Sequence, residues 1–131
     1  MSLHQSGEDY LEAILVLREQ NGVVHSIDVA QHLGYSKPSV SRAVSLLKGD
    51  GYLVMERDGR LELTERGAEI ARNIYERHRF LTHWLMALGV PEALAEEDAC
   101  KIEHNISEET FQCLKRHTEE MAALLRDRPS T

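Results

Sequence analysis

Three side chains that can act as metal ligands lie close together in the second half of the chain. Cys100, Glu103 and His104 stand at positions i, i+3 and i+4, a spacing that puts all three on one face of a helix. A thiolate, a carboxylate and an imidazole can share a transition-metal ion. A Glu and a His on a helix surface also occur without a metal, so both interpretations stay open on spacing alone.

Further side chains with ligand atoms occur on other predicted helices. Asp9 and Glu12 lie one helical turn apart near the N-terminus, where acidic side chains are also favoured simply by the helix dipole. His78 projects from a long predicted helix and could equally be an ordinary surface or interface histidine. Cys113 has no partner or motif, and we expect it to be a semi-buried structural thiol.

The chain before residue 52 is predicted to form three helices. Apolar residues recur at helical spacing from about residue 7 to residue 20, which predicts an amphipathic helix. Ser26 is expected to be the N-cap of a short second helix that ends at Gly34. A third helix opens with Ser36 as N-cap and Pro38 in its first turn. Two short helices joined by a tight turn are the outline of a helix-turn-helix.

A hairpin and a long helix follow. Strand-like runs at residues 52–55 and 61–63 flank Asp58 and Gly59, and Asp-Gly between such runs is a strong hairpin signal. This hairpin would be the wing of a winged helix-turn-helix. Thr64 is expected to cap the long helix, whose apolar residues recur at helical spacing as far as Leu88.

The second half of the chain is predicted to be all helical. A helix is expected from about residue 92 to residue 105, and a last one from residue 107 to about residue 126; the tail at residues 127–131 is expected to be disordered. The fold class is therefore mainly α, with an N-terminal winged helix-turn-helix domain at residues 1–72 and an all-helical second domain at residues 73–131. A wide apolar stripe predicts a dimer interface made by Phe80, Leu81, Trp84, Leu85 and Leu88.

Charge and composition limit the possible functions. The net charge of -7 argues against indiscriminate adhesion to nucleic acid, which needs a broad cationic surface, so any DNA contact must be local. We find no apolar run long enough to cross a bilayer and no charged-then-apolar leader, and two cysteines are too few for a disulfide framework. We therefore expect a cytoplasmic protein with no membrane partner.

The candidate DNA-contacting residues lie on the second helix of the helix-turn-helix and at the tip of the wing. There, exposed hydroxyl and cationic groups can reach base edges, phosphates or a minor groove. A winged domain can also serve protein contacts, and wing arginines can simply solvate a turn, so these alternatives stay open. The candidates are Ser36, Lys37, Pro38, Ser39, Ser41 and Arg42 on the helix, with Arg57 and Arg60 on the wing.

Together these features resemble the DtxR/MntR family of metal-dependent transcriptional repressors. The resemblance rests on residues 8–12, the helix-turn-helix, the Arg77-His78 pair and residues 98–107. It implies a homodimer that binds double-stranded operator DNA when loaded with Mn²⁺ or Fe²⁺, with Co²⁺ or Zn²⁺ as substitutes in vitro. It also implies the short architecture without an SH3-like domain. By matched position, one or two adjacent metal sites at the junction of the two domains would be formed by Asp9, Glu12, His78, Cys100, Glu103 and His104.

Cys100 departs from the manganese-type pattern. Manganese-sensing members carry a carboxylate there and iron-sensing members a cysteine, and a thiolate favours softer ions than Mn²⁺. The predicted function is a metal-dependent regulator, a repressor of metal-uptake genes and not an enzyme. One alternative is a winged-helix regulator that ignores metal and answers to a small organic effector. Another is a small zinc enzyme, although the sequence has no HExxH helix or evident general base.

Overall fold

A computed structural model of the chain describes residues 5–126, so the expectation for the tail at residues 127–131 lies outside the described residues. The chain divides into two compact units, Met1–Glu76 and Arg77–Thr131. The boundary that we expect between functional domains, at residues 72 and 73, stays a prediction. In chain order the elements are α1 Gln5–Asn21, α2 Ser26–Leu33, α3 Lys37–Gly49, β1 Leu53–Met55, β2 Leu61–Leu63, α4 Glu65–Ala87, α5 Glu92–Ile102 and α6 Glu108–Arg126.

The N-terminal unit is a winged helix-turn-helix, which confirms the predicted fold class. β1 pairs antiparallel with β2, with Leu53 opposite Leu63. The Leu61 N–H donates to the Val24 carbonyl at 2.8 Å and so ties the wing to the segment before α2. The apolar faces of α1, α2 and α3 share one core with the hairpin. Its core side chains that are at most 2% exposed are Leu11, Ile14, Val24, Val29, Val40, Leu53, Leu61 and, from α4, Ala71.

The start of α3 agrees with the sequence prediction, whereas the start of α2 differs from it. Ser36 is the N-cap of α3, and its hydroxyl accepts a hydrogen bond from the Ser39 N–H at 3.3 Å. The N-cap of α2 is His25 rather than Ser26. The His25 N–H donates to the carboxylate of Asp28 at 2.8 Å. This backward reach of an acid at the third helical position places the helix start one residue earlier than the Ser26 signal.

The first turn of α4 lies directly against the backbone that leads into β1. The Thr64 N–H donates to the Tyr52 carbonyl at 3.1 Å, and the Thr64 hydroxyl donates to the Gly51 carbonyl at 2.7 Å while accepting from the Gly67 N–H at 3.2 Å. A Cβ atom at Gly67 would collide with the Tyr52 carbonyl oxygen and approach its carbon to 2.9 Å. Only glycine fits this joint between the wing and α4.

The C-terminal unit consists of the end of α4 with α5 and α6. Its buried apolar side chains include Leu81, Ala99 and Phe111, and the rings of Phe80 and Phe111 pack edge to face with centroids 5.5 Å apart. Leu81 is completely buried within the chain, and its place in the expected dimer surface stays a prediction. Among the helices that the structure describes, none has both the length and the apolar character needed to span a membrane.

The rest of the expected dimer surface stays a prediction. Phe80, Trp84 and Leu85 are half-buried, and Leu88 is 67% exposed at the end of the long helix. α6 also exposes the apolar side chains of Leu124 and Leu125. This unit thus leaves apolar side chains in water that a second subunit could cover.

The end of α5 comes earlier than the sequence pattern predicts. The helix ends at Ile102 rather than near residue 105. The Glu103 N–H still donates to the Ala99 carbonyl at 2.9 Å, but the Asn105 N–H turns to the Ile102 carbonyl at 2.9 Å, three residues back instead of four. Glu103 and His104 therefore belong to a turn after the helix, and their prediction as helical residues is wrong.

Candidate metal centre and nucleic-acid interface

Cys100, Glu103 and His104 come together at the end of α5. Each offers one ligand atom, and these atoms lie within 4.8 Å of one another. Glu103 is the C-cap and keeps right-handed helical backbone angles, with φ -57° and ψ -27°. The one-sided arrangement expected from their spacing therefore persists although the regular helix has already ended.

Glu103 carries a completely buried carboxylate at the centre of this cluster. Its Oε2 atom lies 2.8 Å from Nδ1 of His78 on α4, and its Oε1 atom lies 3.3 Å from Nε2 of His104. Within residues 5–126, Oε1 is buried and makes no hydrogen bond. A buried carboxylate is costly unless it is paired or binds a metal. Glu103 thus retains an oxygen that could act as a ligand.

The donors of this cluster fit a divalent transition ion. Cys100 supplies sulfur, Glu103 supplies oxygen and His104 supplies a ring nitrogen, the three donor types that such ions bind in proteins. The His104 side chain is 1% exposed and that of His78 is 28% exposed, so the donors are mostly shielded from water. A low-dielectric setting strengthens their interaction with a cation.

The remaining predicted ligands lie in the N-terminal unit. Asp9 and Glu12 are half-buried residues of α1, one turn apart. Leu11 and Ile14 of the same helix are buried in the core of that unit. A role for the two acids in a joint metal site stays a prediction.

Cys113 is exposed, so its prediction as a semi-buried thiol is wrong. It lies on α6, where the buried side of the helix is marked by Phe111. Two residues further along a helix is about 200° of rotation, so Cys113 points away from the core. Nη2 of Arg116 lies 3.3 Å from its sulfur.

The candidate residues on α3 form an exposed surface. Ser36, Lys37, Pro38, Ser39, Ser41 and Arg42 are all exposed. On the same helix Val40, Val44 and Leu47 are buried, so α3 presents a polar, cationic face to solvent. Sequence reasoning missed Ser26 and Ile27 at the start of α2, which line a hollow together with Lys37 and Ser41. Ile27 is 41% exposed there although it is apolar.

The two wing arginines differ in their surroundings. Both are exposed, but Arg60 forms an ion pair with Asp58 at 2.9 Å. The Arg60 N–H and guanidinium both donate to the Asp58 carboxylate, and these contacts lower the pKa of that carboxyl. Arg60 already has an anionic partner in the wing, which makes Arg57 the stronger candidate for a phosphate contact.

Arg77 is a site residue to which sequence reasoning assigned no role. Its guanidinium is buried and donates from Nη1 to the carbonyls of Glu103 at 3.0 Å and Ile106 at 2.8 Å. The signal was its place on the apolar stripe of α4, between the buried Ile74 and Leu81 at helical spacing. A cation at such a position is unusual unless it serves a specific contact.

Fold and cluster together define a DNA-binding winged-helix protein whose second unit gathers metal-ligand side chains. Family models agree with this class. Residues 2–61 match the iron dependent repressor N-terminal DNA binding domain, and residues 64–123 match the iron dependent repressor metal binding and dimerisation domain. The chain belongs to the DtxR/MntR family of metal-dependent transcriptional repressors.

Individual relatives agree with this assignment. The chain is 33% identical over 116 residues to the transcriptional regulator MntR of Escherichia coli O6:H1, covering 88% of this chain and 75% of that protein. It is 37% identical over 102 residues to the HTH-type transcriptional regulator MntR of Geobacillus kaustophilus, covering 78% and 72%. The solved structure of the manganese regulator SloR superimposes with a TM-score of 0.78 and 26% identity over 91% of this chain. The chain spans 55% of the SloR chain.

Proposed function

We propose that this protein is a repressor of metal-uptake genes that binds double-stranded operator DNA as a homodimer when loaded with Mn²⁺ or Fe²⁺. The observation that carries the proposal is the buried carboxylate of Glu103, which lies between two imidazoles and beside a thiol. Such a donor set in a family of DNA-binding repressors supports metal control of DNA binding. The protein would act in the cytoplasm, where its DNA lies, as a regulator and not as an enzyme.

The ligands would come from both proposed domains, residues 1–72 and 73–131. His78, Cys100, Glu103 and His104 would hold the ion in the second domain, and Asp9 and Glu12 would complete the coordination from the first. The ion would supply the positive charge that lets these carboxylates approach one another. Without it, the clustered carboxylates repel and disfavour the arrangement that binds DNA.

α1 can transmit this difference to the DNA-contacting helix. Leu11 and Ile14 of α1 share a core with Val40 and Val44 of α3. Protein cores are close-packed, so a movement of α1 carries α3 with it. In the bound arrangement the two recognition helices of a dimer would enter successive major grooves, about 34 Å apart. A ligand with unequal affinity for two arrangements suffices to shift the population.

The decisive test is DNA affinity with and without metal. In saturating Mn²⁺ or Fe²⁺ we expect operator DNA to bind at least about tenfold more tightly than in chelator, since allosteric coupling is commonly about 5- to 150-fold. Anaerobic titrations followed by fluorescence anisotropy measure both affinities. The control is Arg42→Ala, which should weaken DNA binding in both conditions and leave their ratio unchanged. Equal affinity of the native chain in chelator and in metal would refute the proposal.

Cys100 is expected to set the order of metals. Replacing its thiol by the carboxylate of Cys100→Glu should move selectivity toward Mn²⁺ and away from Co²⁺ and Zn²⁺, because oxygen donors suit the harder ion. Binding constants for the four ions, measured anaerobically by competition with a chelating dye, check this. Cys113→Ser removes the exposed thiol of α6 and serves as the matched control with an unchanged order. If Cys100→Glu also leaves the order unchanged, Cys100 is not a ligand.

A further inference from the structure

Arg77 connects three segments of the C-terminal unit through one buried guanidinium. Nη1 donates to the carbonyls of Glu103 and Ile106, and Nη2 donates to the carboxylate of Glu108 at 2.7 Å. The guanidinium also lies over the ring of Phe111, 5.2 Å from its centroid. The second half of α4 thereby contacts the turn after α5 and the first turns of α6.

The turn that Arg77 contacts carries two of the proposed metal ligands. α5 ends at Ile102, so the backbone from Glu103 to Ile106 lacks the regular hydrogen bonds that would fix it as a helix. The carbonyls at the end of a helix need partners from outside it. Arg77 supplies these partners on both sides of His104, at Glu103 and at Ile106. One side chain thus fixes the backbone that presents both ligands.

Arg77 and His78 act on the same turn from adjacent positions of α4. Arg77 contacts the Glu103 main chain, while Nδ1 of His78 lies 2.8 Å from the Glu103 side chain. Side chains of α4 therefore set both the backbone position and the carboxylate orientation of Glu103. Residues that hold the metal ligands in place without binding the metal themselves commonly tune metal affinity.

The position of Arg77 is costly for packing alone. Its neighbours on the buried stripe of α4 are Ile74 and Leu81, and an apolar side chain of similar volume would avoid the desolvation of a charge. Within residues 5–126, Nε of Arg77 is buried and makes no hydrogen bond. The contacts of its two terminal nitrogens are what this burial achieves.

We propose that Arg77 is a positioning residue for the metal centre, which holds the turn at residues 103–106 so that Glu103 and His104 present their donors to one ion. The inference rests on the proposed metal-binding function. Arg77 itself would not contact the ion. A lysine at this position keeps the charge but lacks the planar fork that reaches two carbonyls and a carboxylate at once.

The test uses Co²⁺ as the probe and the full chain. Arg77→Lys should stay folded without metal, bind Co²⁺ about 10- to 100-fold more weakly, and show an altered visible spectrum of bound Co²⁺, because the two ligands lose their fixed geometry. Circular dichroism melting of the metal-free protein separates this effect from loss of fold. A folded Arg77→Lys variant with wild-type Co²⁺ affinity and spectrum would overturn the inference.

A second pair of variants keeps the test decisive if Arg77→Lys does not fold. Glu108→Ala removes the carboxylate that holds Nη2, and Glu109→Ala removes the neighbouring first-turn carboxylate of α6. We expect several-fold weaker Co²⁺ binding for Glu108→Ala and wild-type binding for Glu109→Ala. Equal behaviour of the two variants would overturn the inference. A wild-type chain that does not bind Co²⁺ at all would instead refute the proposed metal-binding function, whatever the Arg77 variants do.

Discussion

Glu103→Gln is expected to abolish metal-dependent DNA binding. The amide keeps the volume of the side chain and can still contact His78, but it removes the negative charge that lies between two imidazoles at 2.8 and 3.3 Å. A neutral amide is a much poorer ligand than a carboxylate for Mn²⁺ or Fe²⁺. We expect metal affinity to fall by more than about 100-fold, since substitutions of residues that only hold the ligands in place commonly cost about 10- to 100-fold.

The measurement combines metal titration with DNA binding. Isothermal titration calorimetry with Mn²⁺ gives the metal affinity. Fluorescence anisotropy of labelled operator DNA gives the DNA affinity in chelator and in metal. Without metal, Glu103→Gln should melt within a few degrees of the wild type, because it buries no charge. Glu97→Gln is the matched control, since Glu97 lies on α5 but its side chain is 66% exposed. Wild-type metal affinity in a folded Glu103→Gln variant would exclude Glu103 from the ligands.

Helix positions and ligand types follow from local sequence, whereas the form of the ligand turn does not. The apolar periodicity of α1, α3 and α4 and the N-cap at Ser36 are local signals, and the predicted fold class is confirmed. Just after the end of α5, the Glu103 carbonyl accepts a hydrogen bond from Arg77, which lies 26 residues earlier in sequence. No pattern within α5 contains that information, so the helix was predicted to continue to residue 105.

Burial of individual side chains shows the same limit. Leu81 and Leu88 both lie on the apolar stripe of the long helix, yet Leu81 is completely buried and Leu88 is 67% exposed. Periodicity defines a face of a helix but not which part of that face another element covers. Cys113 follows the buried Phe111 by two residues on α6 and is exposed, because about 200° of helical rotation separates the two side chains.

Gly67→Ala is expected to destabilise the winged domain strongly, by about 3 kcal/mol or more, which is the upper end of the usual cost of overpacking. An alanine in a helix is normally favoured over glycine by about 0.5–1 kcal/mol. Here the added Cβ would lie 2.9 Å from the Tyr52 carbonyl carbon and 3.4 Å from its Cα. The obstacle is backbone, which cannot turn aside as the end of a flexible side chain can. Relief requires moving Tyr52, whose carbonyl accepts the Thr64 N–H.

Urea unfolding in chelator, followed by circular dichroism, gives the change in the free energy of unfolding. Gly49→Ala is the matched control, since Gly49 lies in α3 and a Cβ there would meet nothing within 4 Å. That substitution should be neutral or stabilising by up to about 1 kcal/mol. Both substitutions replace a helical glycine by alanine. A loss of stability at Gly67 but not at Gly49 would therefore identify the contact with Tyr52 as the cause. If Gly67→Ala proved as stable as Gly49→Ala, the close approach of Gly67 to the Tyr52 carbonyl would be refuted.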